Sequence, residues 1–213
     1  MIRLVAVVAV ASLAAAGCGG GPRVTETRQV APFDRVEVSD SLEVDVVPGT
    51  GSELRVRAGE DVMDRVRTES SGGVLRLDLV DRGIVIGPDP LGDVRIEVGA
   101  DSVRSLLIDG SGDVTLTDVD EEALDLEVEG AGEIEATGTV GDLTATIRGA
   151  GNASLSGLAA RTARITVQGA GDADLNVSDE LDVTVEGAGE VNYSGSPTVR
   201  SEIHGAGDIS HDP

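Results

Sequence analysis

Aromatic residues are nearly absent from this chain. Of its 213 residues, one is phenylalanine, one is tyrosine and none is tryptophan. Aromatic rings give proteins flat apolar platforms against which sugar rings can stack. Of the two that occur, Phe33 and Tyr193, the second falls at an inward-facing position of a predicted strand, where it fills the core. This scarcity argues against a carbohydrate-binding site that depends on stacking.

Cysteine, histidine and lysine are also scarce or missing. Cys18 is the single cysteine, which excludes intrachain disulfides and a cysteine-based metal site. The only two histidines, His204 and His211, lie near the C-terminal end, and we interpret His211 as part of a polar cap rather than as a catalytic base. No lysine accompanies the glycine motifs described below, so they do not form a nucleotide-binding phosphate loop. The sequence predicts no cofactor.

Positive charge is heavily outnumbered. All sixteen basic residues are arginines, against 39 acidic residues, which gives a formal net charge of −23. A surface of this charge repels nucleic acid and anionic lipid headgroups, so both are poor partners, and we expect no nucleic-acid binding. Acidic residues also keep a protein with a large surface soluble, and this explains much of the charge.

Glycine, in contrast, is abundant and regularly placed. A Gly-Ser/Ala-Gly motif occurs six times, and the first glycines of successive copies are 20, 19, 20, 18 and 18 residues apart. A fixed period of this size is typical of a solenoid, in which each repeat forms one coil, or rung. The six motifs are Gly110–Gly112, Gly130–Gly132, Gly149–Gly151, Gly169–Gly171, Gly187–Gly189 and Gly205–Gly207.

Apolar residues alternate with polar ones on both sides of each motif. The pattern has a period of two, which predicts strands with one buried face, and the three-to-four spacing of a helix is absent. Glycine at both ends of each motif permits a sharp corner. The predicted fold is therefore an all-β, single-stranded parallel β-helix with rungs of 18–20 residues. A right-handed coil is the default for parallel crossovers.

The N-terminal segment has the features of an export signal. Met1–Arg3 is positively charged, and Leu4–Ala16 is an apolar run too short to span a bilayer. The run ends in Ala15-Ala16-Gly17-Cys18, which resembles a bacterial lipobox apart from Ala15, where leucine is usual. The hypothesis is a signal peptide over 1–17 and lipidation of Cys18, which anchors the chain to a membrane. An ordinary secretory signal with a chance cysteine is the alternative.

The remaining chain reads as one domain. We expect a flexible tether over 18–31 and a β-helix over 32–213, with irregular rungs over 32–100 and regular rungs over 101–213. Within the irregular part, Val62–Val66 fits a helical turn or a strand, Gly72-Gly73 fits a hairpin or a rung corner, and Ile84–Ile86 fits a strand leading into the repeats.

Several of these segments together resemble a known family. The opening Phe33–Val38, the alternating runs Leu42–Val46 and Val74–Leu77, and the glycine corners are similar to the autotransporter-adhesin head domain of bacterial envelope proteins. The resemblance covers roughly Phe33 to Asp212. It implies a right-handed single-stranded β-helix and a non-catalytic role in adhesion or surface binding. It supplies no catalytic residues.

Acidic residues concentrate on the outward face of the strand that follows each corner. Stacking would bring neighbouring carboxylates to about 5 Å, where each pair repels by about 1 kcal/mol in water. A basic partner surface or a divalent cation such as calcium would relieve this repulsion, and a merely solvated face is the remaining alternative. The carboxylates of this acidic strip are Asp113, Glu133, Glu135, Asp172, Asp174, Glu190 and Asp208.

Three functions are compatible with these features of the sequence. The first is a lipid-anchored envelope protein, outside the cytoplasm at the outer membrane or cell surface, that binds a protein or surface partner through the acidic strip. The second is a structural or calcium-binding envelope protein without a specific partner. The third, a polysaccharide-active β-helix enzyme, is disfavoured because the short rungs leave no room for the long loops that form catalytic grooves. Polar residues such as Ser201 and His211 in the last rung indicate self-capping, with self-association through this end as the alternative.

Overall fold

The structure is a computed structural model that describes residues 23–80 and 94–212. The predicted signal peptide, Cys18 and the predicted strand at Ile84–Ile86 lie outside these ranges. Within them the chain forms one short helix, α1 (Glu60–Met63), and fifteen strands. The strands are β1 (Arg23–Gln29), β2 (Arg35–Asp40), β3 (Glu43–Pro48), β4 (Glu53–Gly59), β5 (Val66–Ser71), β6 (Val74–Leu79), β7 (Arg95–Ala100), β8 (Ser105–Gly110), β9 (Asp113–Gly130), β10 (Glu133–Gly149), β11 (Asn152–Gly169), β12 (Asp172–Gly187), β13 (Glu190–Gly195), β14 (Thr198–Gly205) and β15 (Asp208–His211).

The regular rungs stack in parallel and in register. Each of β9 to β12 runs from one corner to the next and pairs on both of its arms with the rungs above and below it, with register shifts between the two arms. Ile134 lies opposite Val114, for example, and Gly149 lies opposite Gly130. The stack forms a β-solenoid of about five turns, which confirms the predicted fold class. Its handedness stays a prediction.

Stacking also accounts for the hydrophobic core. The inward residues two positions after the first five corners, Val114, Ile134, Ala153, Ala173 and Val191, are at most 2% exposed. A single rung could not bury these side chains alone, because the residues that cover them above and below belong to the neighbouring rungs. The apolar columns predicted from the alternation are therefore the core of the solenoid.

The glycine corners are held by a continuous column of backbone hydrogen bonds. The first glycine of each motif has a φ between 120° and 145°, a conformation that L side chains rarely adopt. The N–H of Ala188 donates to the carbonyl oxygen of Gly169 at 2.8 Å, and every other corner repeats this bond at 2.8–2.9 Å. A Cβ added at Gly187 would lie 2.1 Å from that same oxygen. Glycine is required here because one corner rests directly on the backbone of another.

The N-terminal rungs do not stack in chain order. The rung formed by β2 and β3 lies between two rungs made later in the chain, since β2 pairs with β6 and β8, and β3 pairs with β7 and β9. Its corner is Asp40-Ser41-Leu42, where Asp40 lies opposite Gly110 and has a φ of 68°. Aspartate is one of the few residues besides glycine that tolerates this region.

Antiparallel strands close the N-terminal end. β1 pairs with β4, β4 pairs with β7, and β5 pairs with β6 through a hairpin at Gly72-Gly73. The expectation of a flexible tether reaching residue 31 is therefore wrong for Arg23–Gln29. That polar segment is ordered because its backbone completes the ladder of β4. Of the two readings of Val62–Val66, the structure has the helical turn, α1, which is followed by β5.

The C-terminal end has no covering strand among the described residues, since β15 pairs with β13 alone. The ring of His211 stacks on Tyr193 with centroids 4.9 Å apart, and His211 Nε2 lies 2.9 Å from the carbonyl oxygen of Gly195. Tyr193 is half-buried against the core, as expected. On the neighbouring side, β14 has one strand partner, β12, among the described residues, and its inward Ile203 is 43% exposed.

Candidate binding face

The acidic strip lies on one continuous outward face. It is formed by the strands that follow the corners, and all seven predicted carboxylates are exposed. Glu133 lies opposite Asp113 and Asn152 in the neighbouring rungs, and Asn152 lies opposite Asp172. Glu190 lies opposite Asp208. The structure thus brings together every strip residue that the sequence predicted.

The face extends further than the strip. β3 lies directly beside β9, so that Glu43 aligns with Asp113 and Asp45 aligns with Thr115. These two carboxylates were missed because their corner lacks the Gly-Ala-Gly motif. The alternation of apolar and acidic residues over Leu42–Val46 indicates that these carboxylates face outward. The pairing that aligns this strand with the repeats, however, joins segments that are far apart in the sequence.

An arginine ends the extended face on the N-terminal side. Arg95 on β7 lies opposite Glu43, donates a hydrogen bond to its carboxylate, and has Nε 3.9 Å from Asp45 Oδ2. The hydrogen bond to Glu43, followed by the charges of Glu43 and Asp45, raises the pKa of Arg95 above its ordinary value. The arginine therefore keeps its charge and marks a boundary, beyond which the acidic strip proper begins at Asp113.

Hydroxyl and amide groups separate some of the strip carboxylates. Ser154 Oγ donates to Glu133 Oε1 at 3.1 Å, and Asn192 Nδ2 donates to Asp174 Oδ1 at 3.1 Å. The run from Asp172 through Glu190 to Asp208 has no such spacer in its column, although the N–H of Glu190 donates to Asp172 Oδ1 at 2.9 Å. These neutral donors orient the carboxylates without cancelling their charge.

The outward face of the strands that precede the corners is different. There arginines pair with carboxylates of their own or adjacent rungs: Arg148 contacts Glu127 and Glu129, and Arg164 lies 3.4 Å from Asp182. Across residues 23–80 and 94–212, no arginine forms an ion pair with any of the seven carboxylates of the acidic strip. The strip is thus an anionic surface without arginine partners, beside a face on which several carboxylates are paired with arginines.

The strip carboxylates do not converge on a point. In the part of the chain that the structure describes, no three acidic, histidine or cysteine side chains are placed to hold a metal ion. The strip carboxylates lie in two columns that follow the solenoid axis, because each strand after a corner offers two outward positions. Such columns suit a partner with several spaced positive charges better than a single calcium ion.

Comparison with known proteins assigns the chain to a family. Residues 32–197 match the model of the family described as "putative auto-transporter adhesin, head GIN domain". The chain belongs to this family. The description of this family indicates a role in adhesion or binding and a location outside the cell or at its surface. No protein with a curated description matches the chain.

Solved structures share the fold. A "putative adhesin" from Bacteroides fragilis NCTC 9343 has a TM-score of 0.70 and 19% identity, covering 89% of this chain and 97% of its own. A "putative lipid binding protein" from Parabacteroides distasonis ATCC 8503 has a TM-score of 0.58 and 17% identity, covering 92% and 98%. A "putative adhesin" from Parabacteroides merdae ATCC 43184 has a TM-score of 0.55 and 13% identity, covering 92% and 98%. At these identities the likeness concerns the fold.

The described residues contain no helix that is long and apolar enough to cross a bilayer.

Proposed function

We propose that this protein is a non-catalytic, lipid-anchored member of the cell envelope that uses the acidic strip to bind a basic protein or surface outside the cytoplasm. One observation carries the proposal. The seven strip carboxylates have no arginine partner among the described residues, whereas several carboxylates of the adjacent face, such as Glu127, Glu129 and Asp182, pair with arginines. Because both faces belong to the same rungs, this difference is not a consequence of overall composition.

The solenoid gives the strip two properties that suit binding. Its backbone is fixed by hydrogen bonds between rungs, so little conformational entropy is lost when a partner binds. Its carboxylates recur along the stack, with one or two on every rung except that of Asn152. Neighbouring rungs are roughly 4.8 Å apart, so contacts that are individually weak can act together. A basic partner would also be drawn to the strip by long-range attraction, which salt weakens.

Attachment through Cys18 follows from the sequence pattern and is consistent with the fold. Cys18 precedes β1, which lies at the closed N-terminal end of the solenoid. A lipid on this residue would therefore attach that end to the membrane. Burial of acyl chains contributes roughly 0.8 kcal/mol per CH₂, so two or more chains anchor a protein stably.

Neutralising the strip is expected to abolish binding to the surface of cells that the wild-type protein binds. The variant carries Asp113→Asn, Glu133→Gln, Asp172→Asn and Glu190→Gln. These changes remove four charges while preserving side-chain shape. The measurement is retention of purified, fluorescently labelled protein on whole cells across a salt series, where wild-type retention should fall as salt rises.

A control variant removes equal charge elsewhere on the solenoid. It carries Asp120→Asn, Asp125→Asn, Glu122→Gln and Glu186→Gln, all exposed and outside the strip. Retention of this control at the wild-type level, with loss in the strip variant, supports the proposal. Equal retention of both variants would refute the strip as the binding face.

The lipid anchor has its own test. Replacing Cys18 by serine removes the only thiol, so the protein should move from the membrane fraction to the soluble extracytoplasmic fraction. Fractionation followed by intact-mass measurement checks this, since lipidation adds the mass of the acyl chains to the wild type alone. Wild-type protein without that added mass would contradict lipidation and leave the binding face unaffected.

A further inference from the structure

The outer edge of β14 is unprotected. Among the described strands its one partner is β12, and the opposite edge, which pairs in every interior rung, is open. Such an edge presents backbone donors and acceptors to any strand that can align with it. The N-terminal end is different, because β1, β4 and β5 cover it with antiparallel pairing.

Apolar side chains accompany this open edge. Ile203 continues the column of Val185, which is 0% exposed, yet Ile203 is 43% exposed because no described rung covers it. Val199 continues the column of Leu181 and is half-buried. The core thus reaches the end of the solenoid with an uncovered apolar face beside an unpaired strand edge.

The sequence of β14 is complementary to itself in the antiparallel direction. If two copies pair about a two-fold axis through Ser201, Arg200 of each copy lies opposite Glu202 of the other. Val199 then lies opposite Ile203 on the inward face, and Thr198 lies opposite His204 on the outward face. Opposite charges and apolar pairs placed directly across an antiparallel ladder are favourable.

Neighbouring registers lose this match. Centring the pair on Arg200 or on Glu202 places like charges directly opposite each other, which is destabilising. A shift of the pairing by a single residue sets inward positions against outward ones on the two copies. A two-fold axis through Ser201 is therefore the one that places opposite charges together and apolar residues together over nearly the whole of β14.

We propose that two copies of this protein associate through their C-terminal ends, with β14 pairing antiparallel to β14 of the second copy about Ser201. The interface is isologous, as expected for a closed two-fold dimer. It is separate from most of the acidic strip, because only Asp208 of the seven strip carboxylates lies in the last rung, on β15. The dimer would continue the sheet across the junction and cover Ile203 and Val199.

Cysteine cross-linking tests the register. In the full chain, Ser201→Cys places two thiols directly across the two-fold axis, roughly 5 Å apart at Cβ, within reach of a disulfide or a short bismaleimide. Thr198→Cys is the matched control, since its two copies would be about 20 Å apart along the ladder. We expect a covalent dimer with Ser201→Cys and none with Thr198→Cys, measured by non-reducing electrophoresis and intact mass.

A second measurement addresses the charge pairing without cysteines. Glu202→Arg sets arginine against Arg200 twice per dimer and is expected to weaken dimerisation about tenfold in sedimentation equilibrium. Glu122→Arg makes the same charge change on an exposed site away from β14 and should leave dimerisation unchanged. Circular dichroism checks that each variant is folded.

Three results would overturn the dimer. They are monomeric wild-type protein at micromolar concentration, cross-linking by both cysteine variants, and cross-linking of the Ser201→Cys variant to a different protein alone. Because none of these assays measures cell-surface binding, their outcome is separate from that of the strip variants.

Discussion

Replacing Gly187 by alanine is expected to lower the free energy of unfolding by about 4 kcal/mol. The residue has a φ of 142°, and an added Cβ would lie 2.1 Å from the carbonyl oxygen of Gly169. That oxygen accepts the hydrogen bond from the N–H of Ala188, so the rungs cannot separate at this point without weakening the ladder. Chemical denaturation followed by circular dichroism measures the change.

Two control substitutions distinguish the steric clash at Gly187 from the cost of a positive φ alone and from the effect of any change at the corner. Gly49 also has a positive φ, of 77°, but an added Cβ meets nothing within 4 Å, so Gly49→Ala should cost only about 1 kcal/mol. Ala188 is exposed between the two corner glycines, and Ala188→Ser should be nearly neutral. If Gly187→Ala and Gly49→Ala cost the same, close backbone stacking is not what requires glycine at the corners.

Replacing Leu155 by alanine should cost about 3 kcal/mol of unfolding free energy. Leu155 is 0% exposed and lies opposite Leu175 of the next rung. The hydrogen-bonded rungs on both sides of Leu155 cannot move in to close the cavity that the substitution leaves. The same denaturation experiment measures this loss.

Leu107 offers a matched control of identical chemistry. It occupies an outward position on β8, opposite Glu37 and Glu127, and is only partly buried. Leu107→Ala should therefore cost less than about 1 kcal/mol. Similar losses at both positions would mean that the inward columns are not a close-packed core.

The repeated half of the fold was predictable because its signals are local. Each corner carries its own Gly-x-Gly motif, and the residues around it alternate with a period of two. The columns through Ile108 and Val114 therefore follow from the sequence alone, in the register that the structure has. The acidic strip follows from the same register, since outward positions are fixed once inward ones are known.

The N-terminal half was not predictable in the same way. At Asp40 a left-handed aspartate replaces the corner glycine, so no Gly-x-Gly motif marks this corner. The pairing of β2 with both β6 and β8 joins segments far apart in sequence, and no short pattern specifies it. For the same reason the sequence did not connect Glu43 and Asp45 to the strip, or identify Arg95 as its boundary. The strand at Arg23–Gln29 was missed because a polar edge strand lacks the apolar alternation of a half-buried one.

The position of the β2–β3 rung has a consequence for biosynthesis. Val36 is covered on one side by Leu75 and on the other by Leu106, so a rung translated early is an interior layer of the finished stack. A chain that emerges N-terminus first must keep β2 and β3 from pairing wrongly until both flanking layers have been made. Shortening the protein from its amino end would therefore remove a middle layer rather than peel off an outer one. We expect such truncations to prevent folding altogether, whereas removal of the last rung should leave a shorter solenoid intact.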